Sequence, residues 1–127
     1  MKSKPRVLVV DDDPFMLKVL EDLLGKAGYR VACASNTVGA GYLMKDFSPQ
    51  LIVLDILLPG SLSGDLACDS LRRQCPGVKI VFYSGLDEKQ LEELAKRQQA
   101  DAALAKGGRI DQLLATIKRL LPAGEDA

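Results

Sequence analysis

The chain has 127 residues, of which 47% are apolar and 27% are charged, which is typical of one globular domain. Its 17 basic and 17 acidic residues cancel, so no bulk charge favours nucleic acid or an anionic membrane. The absence of histidine excludes a Ser-His-Asp triad, a histidine-ligated zinc and a histidine phosphoacceptor within this chain. Chemistry here must use carboxylates, hydroxyls and lysine.

The cellular compartment is indicated by cysteine usage and by the apolar runs. Cys33, Cys68 and Cys75 form an odd set without a CxxC pair, which fits a reducing compartment and small core residues. No apolar run approaches the length of a membrane span, and the first five residues lack the apolar stretch of a secretory signal. We predict a cytoplasmic protein that binds neither membranes nor, directly, nucleic acid.

Short apolar runs alternate with segments of helical periodicity along the whole chain. In chain order, the sequence predicts strand Arg6–Val10, helix Pro14–Ala27, strand Arg30–Ala34, helix Thr37–Phe47, strand Leu51–Leu54, helix Gly64–Gln74, strand Lys79–Tyr83, helix Glu88–Gln98, strand Ala102–Ala105 and helix Ile110–Leu121. Asp13 before Pro14 is typical of an N-cap, and Gly28 is a candidate C-cap.

The alternation of strands and helices predicts an open α/β sheet with helices on both faces. Several strands are continuously apolar, as expected when both faces of a parallel strand are covered. Rossmann-like and flavodoxin-like strand orders compete. Five units in roughly 120 residues favour a flavodoxin-like parallel five-stranded sheet of order 2-1-3-4-5 with five helices. We expect a domain over residues 1–122 and a short flexible tail over residues 123–127.

Groups suited to phosphate chemistry follow the predicted strands at the same edge. Asp11 and Asp12 follow the first strand, Asp55 the third, Ser84 the fourth and Lys106 the fifth. In such sheets ligands bind beyond the carboxyl ends of the strands, where the connection direction reverses. Any one of these residues alone has an ordinary explanation in a cap or turn. Their joint placement, with Asp55 inside an apolar stretch, indicates a functional site.

Several carboxylates in one crevice require a proton or a cation. Oxygen-only ligands with room for water favour magnesium over a softer metal. Asp55 is then a candidate nucleophile that forms an aspartyl phosphate. Lys106 would supply positive charge to the phosphoryl group, and Ser84 would supply a hydroxyl donor.

The motifs VLVVDDDP, LIVLDILLPG, IVFYSG and ALAKG stand in this order across nearly the whole chain. Together they resemble the receiver domain of two-component response regulators, with a chemotaxis-receiver-like fold. The resemblance implies a receiver domain over residues 1–122 that acts as a switch rather than an enzyme. The implied roles are the metal ligands Asp11, Asp12, Asp55 and the backbone carbonyl of Leu57, the phosphorylated residue Asp55, the hydroxyl switch residue Ser84 and the phosphate-pairing Lys106.

The resemblance also implies a phosphodonor, which would be the phosphohistidine of a sensor histidine kinase or of a histidine phosphotransfer protein. Phe15 and Lys18, on the predicted first helix, are candidates for docking this donor, with ordinary packing as the alternative for Phe15. Leu57 and Leu86 lie two residues beyond Asp55 and Ser84. Neither can position a hydrolytic water, so we predict a long-lived phosphorylated state.

The sequence departs from the family pattern in four places. The glycine that opens the third helix comes one residue late, at Gly64, which places an insertion in the loop of residues 59–63. Gly107 stands where proline is usual, so Lys106 is expected to be held less firmly. Gly85 is the small residue after the switch hydroxyl, which is compatible with access to the site. Ala103 replaces the usual switching aromatic, for which Tyr83 is a candidate substitute.

Three other functions remain as alternatives. A receiver-like interaction module that is never phosphorylated would agree with Ala103 and Gly107, but not with the intact acidic set. A phosphohydrolase with an aspartyl-phosphate intermediate usually needs a second carboxylate at the position of Leu57. A flavin-binding electron carrier needs a phosphate-cradling loop after the first strand, where the three consecutive aspartates repel phosphate.

Overall fold

The computed structural model describes residues 3–57, 64–108 and 110–123. Five strands and five helices alternate along them. They are β1 (Arg6–Val10), α1 (Pro14–Lys26), β2 (Arg30–Ala34), α2 (Thr37–Phe47), β3 (Leu51–Leu54), α3 (Gly64–Gln74), β4 (Lys79–Ser84), α4 (Glu88–Gln98), β5 (Ala102–Ala105) and α5 (Ile110–Leu120).

All strands pair in parallel, in the order β2-β1-β3-β4-β5. The predicted flavodoxin-like sheet is therefore confirmed, and the Rossmann-like order is wrong. Because β1 and β3 are neighbours while β2 lies on the outer side of β1, the connection direction reverses between β1 and β3. This reversal opens the crevice at the carboxyl ends of the central strands.

Three predicted element ends differ by one residue from the structure. Helix α1 ends at Lys26 because Ala27 is its C-cap, with Gly28 following at φ 100°. Strand β4 extends to Ser84 because that residue pairs with Ala105 of β5. Helix α5 ends at Leu120 rather than at Leu121. The predicted insertion in the loop of residues 59–63 and most of the predicted tail lie outside the described residues.

Helices cover both faces of the sheet, as predicted, and each face has its own apolar core. Helices α2, α3 and α4 cover one face, where their buried side chains pack against the alternate residues Leu8, Ile52, Ile80 and Phe82. Helices α1 and α5 cover the other face, against Val7, Val9, Val53 and Val81. Because both faces of each central strand are buried, the strands read as continuous apolar runs rather than alternating ones. This packing fixes the strand ends that carry the polar residues.

Candidate functional site

Two aspartates leave neighbouring strands side by side at the carboxyl edge of the sheet. The amide of Asp11 donates to the carbonyl of Ala34 at 3.1 Å, and the amide of Asp55 donates to the carbonyl of Val10 at 3.0 Å. These bonds continue the ladders beyond the last paired residues. Asp11 is 2% exposed and Asp55 is 4% exposed. Two carboxylates are thus held in a mostly dry crevice, which is costly unless positive charge compensates them.

Lys106 supplies that positive charge and bridges both carboxylates. Its Nζ lies 2.5 Å from Asp11 Oδ2 and 2.9 Å from Asp55 Oδ2. The backbone amide of Lys106 donates to the carbonyl of Ser84 at 2.6 Å, which positions the side chain beside β4. The ammonium group therefore neutralises one of the two negative charges and leaves one in excess.

Each carboxylate is also held by the backbone that follows it. Asp11 Oδ1 accepts from the amide of Asp13 at 2.9 Å, and Asp55 Oδ1 accepts from the amide of Leu57 at 2.9 Å. Both are side-chain turns in which an aspartate bonds the amide two residues on. Since the second oxygen of each group contacts Lys106, both side chains are fixed at two points.

Burial and the neighbouring charges act in opposite directions on the pKa of Asp11 and on the pKa of Lys106. Burial raises the pKa of Asp11 above its ordinary value, outweighing the lowering by Lys106 and by the amide of Asp13. Burial alone would lower the pKa of Lys106, but hydrogen bonds to Asp11 and Asp55 outweigh it, so the pKa of Lys106 is raised. At Asp11, burial therefore outweighs the compensation that Lys106 provides, which favours a further positive charge beside this carboxylate.

Asp12 adds a third carboxylate on the solvent side of the crevice. It is exposed, and one carboxylate oxygen from each of Asp11, Asp12 and Asp55 lies within 4.8 Å of the others. This donor set consists of hard oxygens alone, with open solvent on one side. Such ligands fit a hydrated magnesium ion better than a softer metal.

Ser84 is the last residue of β4, which lies between β3 and β5 in the sheet. It is 0% exposed, and its Oγ has no hydrogen-bond partner among the residues that the structure describes. A buried hydroxyl without a partner costs about 1–3 kcal/mol. Its position beside Lys106 makes this hydroxyl available to an oxygen ligand bound in the crevice.

The structure brings Asp11, Asp12, Asp55, Ser84 and Lys106 to one edge of the sheet, as the strand order requires. Asp13, in contrast, caps α1, where its side chain accepts from the amide of Phe15 at 3.0 Å. The roles of these residues in phosphorylation and metal binding, including that of the Leu57 carbonyl, remain predictions. Sequence reasoning missed the contact between Lys106 and Asp11, because it assigned the lysine to a phosphoryl group alone.

The structure bears on two of the departures from the family pattern, at Gly107 and at the aromatic position for which Tyr83 is the candidate substitute. Gly107 has φ 94°, a left-handed conformation that proline cannot adopt. Lys106 is nevertheless held by its backbone bond and by two ion pairs. Tyr83 is 5% exposed, and burial raises its pKa, with Lys106 and Asp11 close enough to act on it. Tyr83 therefore lies beside the acidic crevice.

The strand order and the crevice between β1 and β3 define a flavodoxin-like α/β domain with an acidic site at the carboxyl ends of its central strands. Residues 7–118 match the family described as the response regulator receiver domain. The chain therefore belongs to the response regulator receiver domain family. It is a receiver domain of the kind found in two-component response regulators, a family in which the phosphoacceptor role is general.

Two curated relatives illustrate the match. The chain is 34% identical over 87 residues to the chemotaxis protein CheY of Thermotoga maritima, covering 68% of this chain and 72% of that protein. It is 30% identical over 119 residues to the DNA-binding dual master transcriptional regulator RpaA of Synechocystis sp., covering 92% of this chain and 49% of RpaA. The chain thus spans about half the length of RpaA.

Two solved structures share the fold closely. A CheY-like receiver domain protein from Methanospirillum hungatei has a TM-score of 0.82 at 26% identity, covering 91% of this chain and 92% of that one. A response regulator from Burkholderia pseudomallei, described with a phosphorylated aspartic acid, a calcium ion and citrate, has a TM-score of 0.79 at 27% identity. That match covers 88% of this chain and 65% of the Burkholderia chain.

The family membership bears on the predicted partners. Receiver domains of response regulators take phosphoryl groups from histidine kinases, which agrees with the expected class of donor. The expectation of no direct nucleic-acid binding is not confirmed, since RpaA is a DNA-binding regulator. Within the described ranges, no helix combines the length and apolar character needed to cross a bilayer.

Proposed function

We propose that Asp55 of this receiver domain accepts a phosphoryl group and that the domain acts as a switch rather than as an enzyme. One observation carries the proposal: two buried carboxylates share Lys106, and beside it the buried hydroxyl of Ser84 has no hydrogen-bond partner in the part of the chain that the structure describes. Asp55 is the candidate nucleophile because it lies between Asp11 and Ser84 in the strand order. We propose that this domain spans residues 1–122 and, since none of its three cysteines forms a disulfide bond, that it works in the reducing cytoplasm.

The proposed reaction transfers a phosphoryl group from the phosphohistidine of a histidine kinase or a histidine phosphotransfer protein. An oxygen of Asp55 attacks phosphorus, an O–P bond forms, and the P–N bond breaks with its electron pair returning to the imidazole of the donor. Asp11, Asp12, Asp55 and the carbonyl of Leu57 would hold Mg²⁺. When bound, Mg²⁺ supplies positive charge that neutralises the transferring phosphoryl oxygens.

Lys106 and Ser84 would then respond to the new group. Phosphorylation adds negative charge and oxygen acceptors at Asp55, so the ammonium of Lys106 can pair with phosphoryl oxygens. The hydroxyl of Ser84 would gain the acceptor that the described residues do not provide. Movement of these two residues would change the ends of β4 and β5 and the adjacent surface of α4 and α5, which is the proposed output of the switch.

The exposed rim of the crevice supports donor docking at α1. Phe15 is 73% exposed, so ordinary core packing does not explain it. Lys18 lies one turn further along the same helix and forms an exposed ion pair with Asp22 at 3.5 Å. An exposed aromatic ring in the first turn of the helix that follows Asp11 and Asp12 is suited to contact with a partner helix.

The Burkholderia regulator supports the chemistry, since its phosphorylated aspartic acid and calcium ion occur in the same fold. Ala103 keeps one alternative open, in which the domain is a receiver-like interaction module that is never phosphorylated. The intact set of Asp11, Asp55, Ser84 and Lys106 favours phosphorylation over this alternative.

The test is labelling of the protein with a small acyl phosphate and MgCl₂, followed by intact-mass and peptide mass spectrometry. Wild type and the control Asp46→Asn, which changes an exposed carboxylate on α2, should each gain one phosphoryl group. Asp55→Asn should gain none, and omission of MgCl₂ should suppress labelling. Equal labelling of Asp55→Asn would reject the assigned site, and unlabelled wild type would favour the interaction module.

A further inference from the structure

A hollow of about 180 Å³ lies along β5, between α4 and the start of α5. The backbone and small side chains of β5 line it, with Tyr83 and Leu91 beside them. A cavity of roughly 150 Å³ is large enough for a benzene ring. The hollow therefore has room for one aromatic side chain.

Small residues at the sheet edge create this space. Ala103 and Ala105 project little beyond the backbone, and Gly108 lines the hollow after the strand. Strand β5 pairs with β4 on one side and, among the described residues, with no strand on the other. The hollow is therefore open along an unpaired strand edge, where a partner can approach closely.

The charged side chains around the hollow carry one sign. Glu88 and Glu92 are exposed, lie one turn apart on α4 and both line the hollow. No basic residue within the described ranges lines it, and neither glutamate forms an ion pair with another described residue. The rim is thus complementary to a cationic partner.

Two residues that line the hollow are each followed in the chain by a residue of the proposed phosphorylation site. Tyr83, which lines it, precedes Ser84, and Ala105, which also lines it, precedes Lys106. Ser84 and Ala105 are paired across β4 and β5. Any displacement of Ser84 or Lys106 would therefore move the wall of the hollow.

We propose that this hollow receives an aromatic side chain of a partner protein, flanked by lysine or arginine residues that pair with Glu88 and Glu92. The proposal deepens the proposed switch function and rests on it, because it names the partner that the switched surface would recognise. The aromatic ring provides apolar area for the walls of Leu91, Ala103 and Tyr83. The flanking cations provide selectivity over neutral or acidic peptides.

The test is an NMR titration of the full, isotopically labelled chain with capped tripeptides. Lys-Phe-Lys should shift the amide signals of Leu104 and Gly108 in a saturable manner. Glu-Phe-Glu should bind roughly 5- to 20-fold more weakly, since each exposed ion pair changes affinity a few-fold. Lys-Ala-Lys should give no saturable shift because it lacks the ring. Equal binding of all three peptides, or shifts confined to other surfaces, would overturn the proposal.

Variants separate the ring site from general electrostatics. In the double variant Glu88→Gln, Glu92→Gln, the affinity for Lys-Phe-Lys should fall to within about twofold of the affinity for a neutral Gln-Phe-Gln peptide, so the preference for the cationic peptide is lost. Glu93→Gln, on the same helix but outside the hollow, should leave it unchanged. Ala103→Phe should fill the hollow and abolish peptide binding. If that substitution impairs folding, the glutamate variants still test the proposal, because they change the charge at the rim and leave the walls of the hollow intact. A loss of preference in Glu93→Gln equal to that of the double variant would overturn the proposal.

Labelling of Asp55 in the same preparation keeps the two proposals distinguishable. Peptide binding without labelling would contradict the switch while supporting the hollow as a binding site. Labelling without selective peptide binding would contradict the hollow and leave the phosphoacceptor proposal intact. If both hold, phosphorylation should change the affinity for Lys-Phe-Lys, and an unchanged affinity would contradict the coupling.

Discussion

Replacing Lys106 with methionine removes the ammonium group that contacts both buried carboxylates at 2.5 and 2.9 Å. Removing one partner of a buried ion pair typically costs about 3–5 kcal/mol. The side chain of Lys106 is 22% exposed, so water compensates part of this cost. We expect the free energy of unfolding to fall by about 2–3 kcal/mol at pH 7 in metal-free buffer, which lowers Tm by roughly 10 °C.

The loss of stability in Lys106→Met should depend on pH. The pKa of Asp11 is raised above its ordinary value of 3.8 in the folded protein. Protonation of Asp11 therefore stabilises the fold fully below pH 3.8, and this stabilisation is lost as pH rises through the folded pKa. Without Lys106, which lowers the pKa of Asp11, the pKa of Asp11 would rise further. The stability difference between wild type and Lys106→Met should therefore be smaller at pH 5 than at pH 7.

Magnesium gives an independent measurement of the same effect. In the variant, a divalent cation would compensate the carboxylates in place of the lysine, and a ligand that binds the folded state stabilises it. Thermal unfolding followed by circular dichroism, with EDTA or with MgCl₂, should show a larger Tm increase in Lys106→Met than in wild type. The control Lys89→Met changes an exposed lysine on α4. Equal losses in both lysine variants, or a loss in Lys106→Met that neither acid nor Mg²⁺ reduces, would refute the reasoning.

Three further substitutions test the surroundings of the site and the packing. Leu57 is 50% exposed, and Leu57→Asn should place a side chain that can position water at the phosphoryl group. We expect the lifetime of the phosphorylated protein to shorten roughly tenfold. An unchanged rate of loss of the phosphoryl label would contradict this. Tyr29→Phe removes the hydroxyl that donates to the carbonyl of Leu121 at 2.6 Å and should cost about 1 kcal/mol in denaturant unfolding. Gly41→Ala, where the added carbon would meet no described atom within 4 Å other than its chain neighbours and the backbone of α2, should raise the free energy of unfolding by about 0.5–1 kcal/mol. Gly77→Ala, at φ 86°, should lower it, and the same sign for both glycines would contradict this account.

The thiols illustrate how burial, rather than residue type, sets reactivity. Cys33, Cys68 and Cys75 could be predicted from the sequence as small core residues. None of them forms a disulfide bond, and Cys68 is buried while the other two are half-buried. The degree of burial follows from packing: burial raises the pKa of Cys33 to about 11, with a further contribution from Glu21. Such a thiol is almost entirely protonated at neutral pH and reacts slowly.

The order of strands and helices followed from local patterns, because apolar runs and helical stripes reflect burial on a sheet of this kind. The N-cap at Asp13 was also predictable, since it depends on residues close in sequence. The five site residues could be placed at one edge once the strand order was inferred, because parallel strands end together.

Long-range contacts were decided by the tertiary structure alone. Lys106 contacts Asp11, 95 positions earlier, as well as Asp55, and that pairing depends on how β1, β3 and β5 twist and how far the lysine reaches across β4. The hollow beside Ala103 likewise depends on the separation of α4 and α5, which no local pattern encodes. Residue types and their periodicity determine which elements form, whereas distances between side chains from different elements arise only when those elements pack.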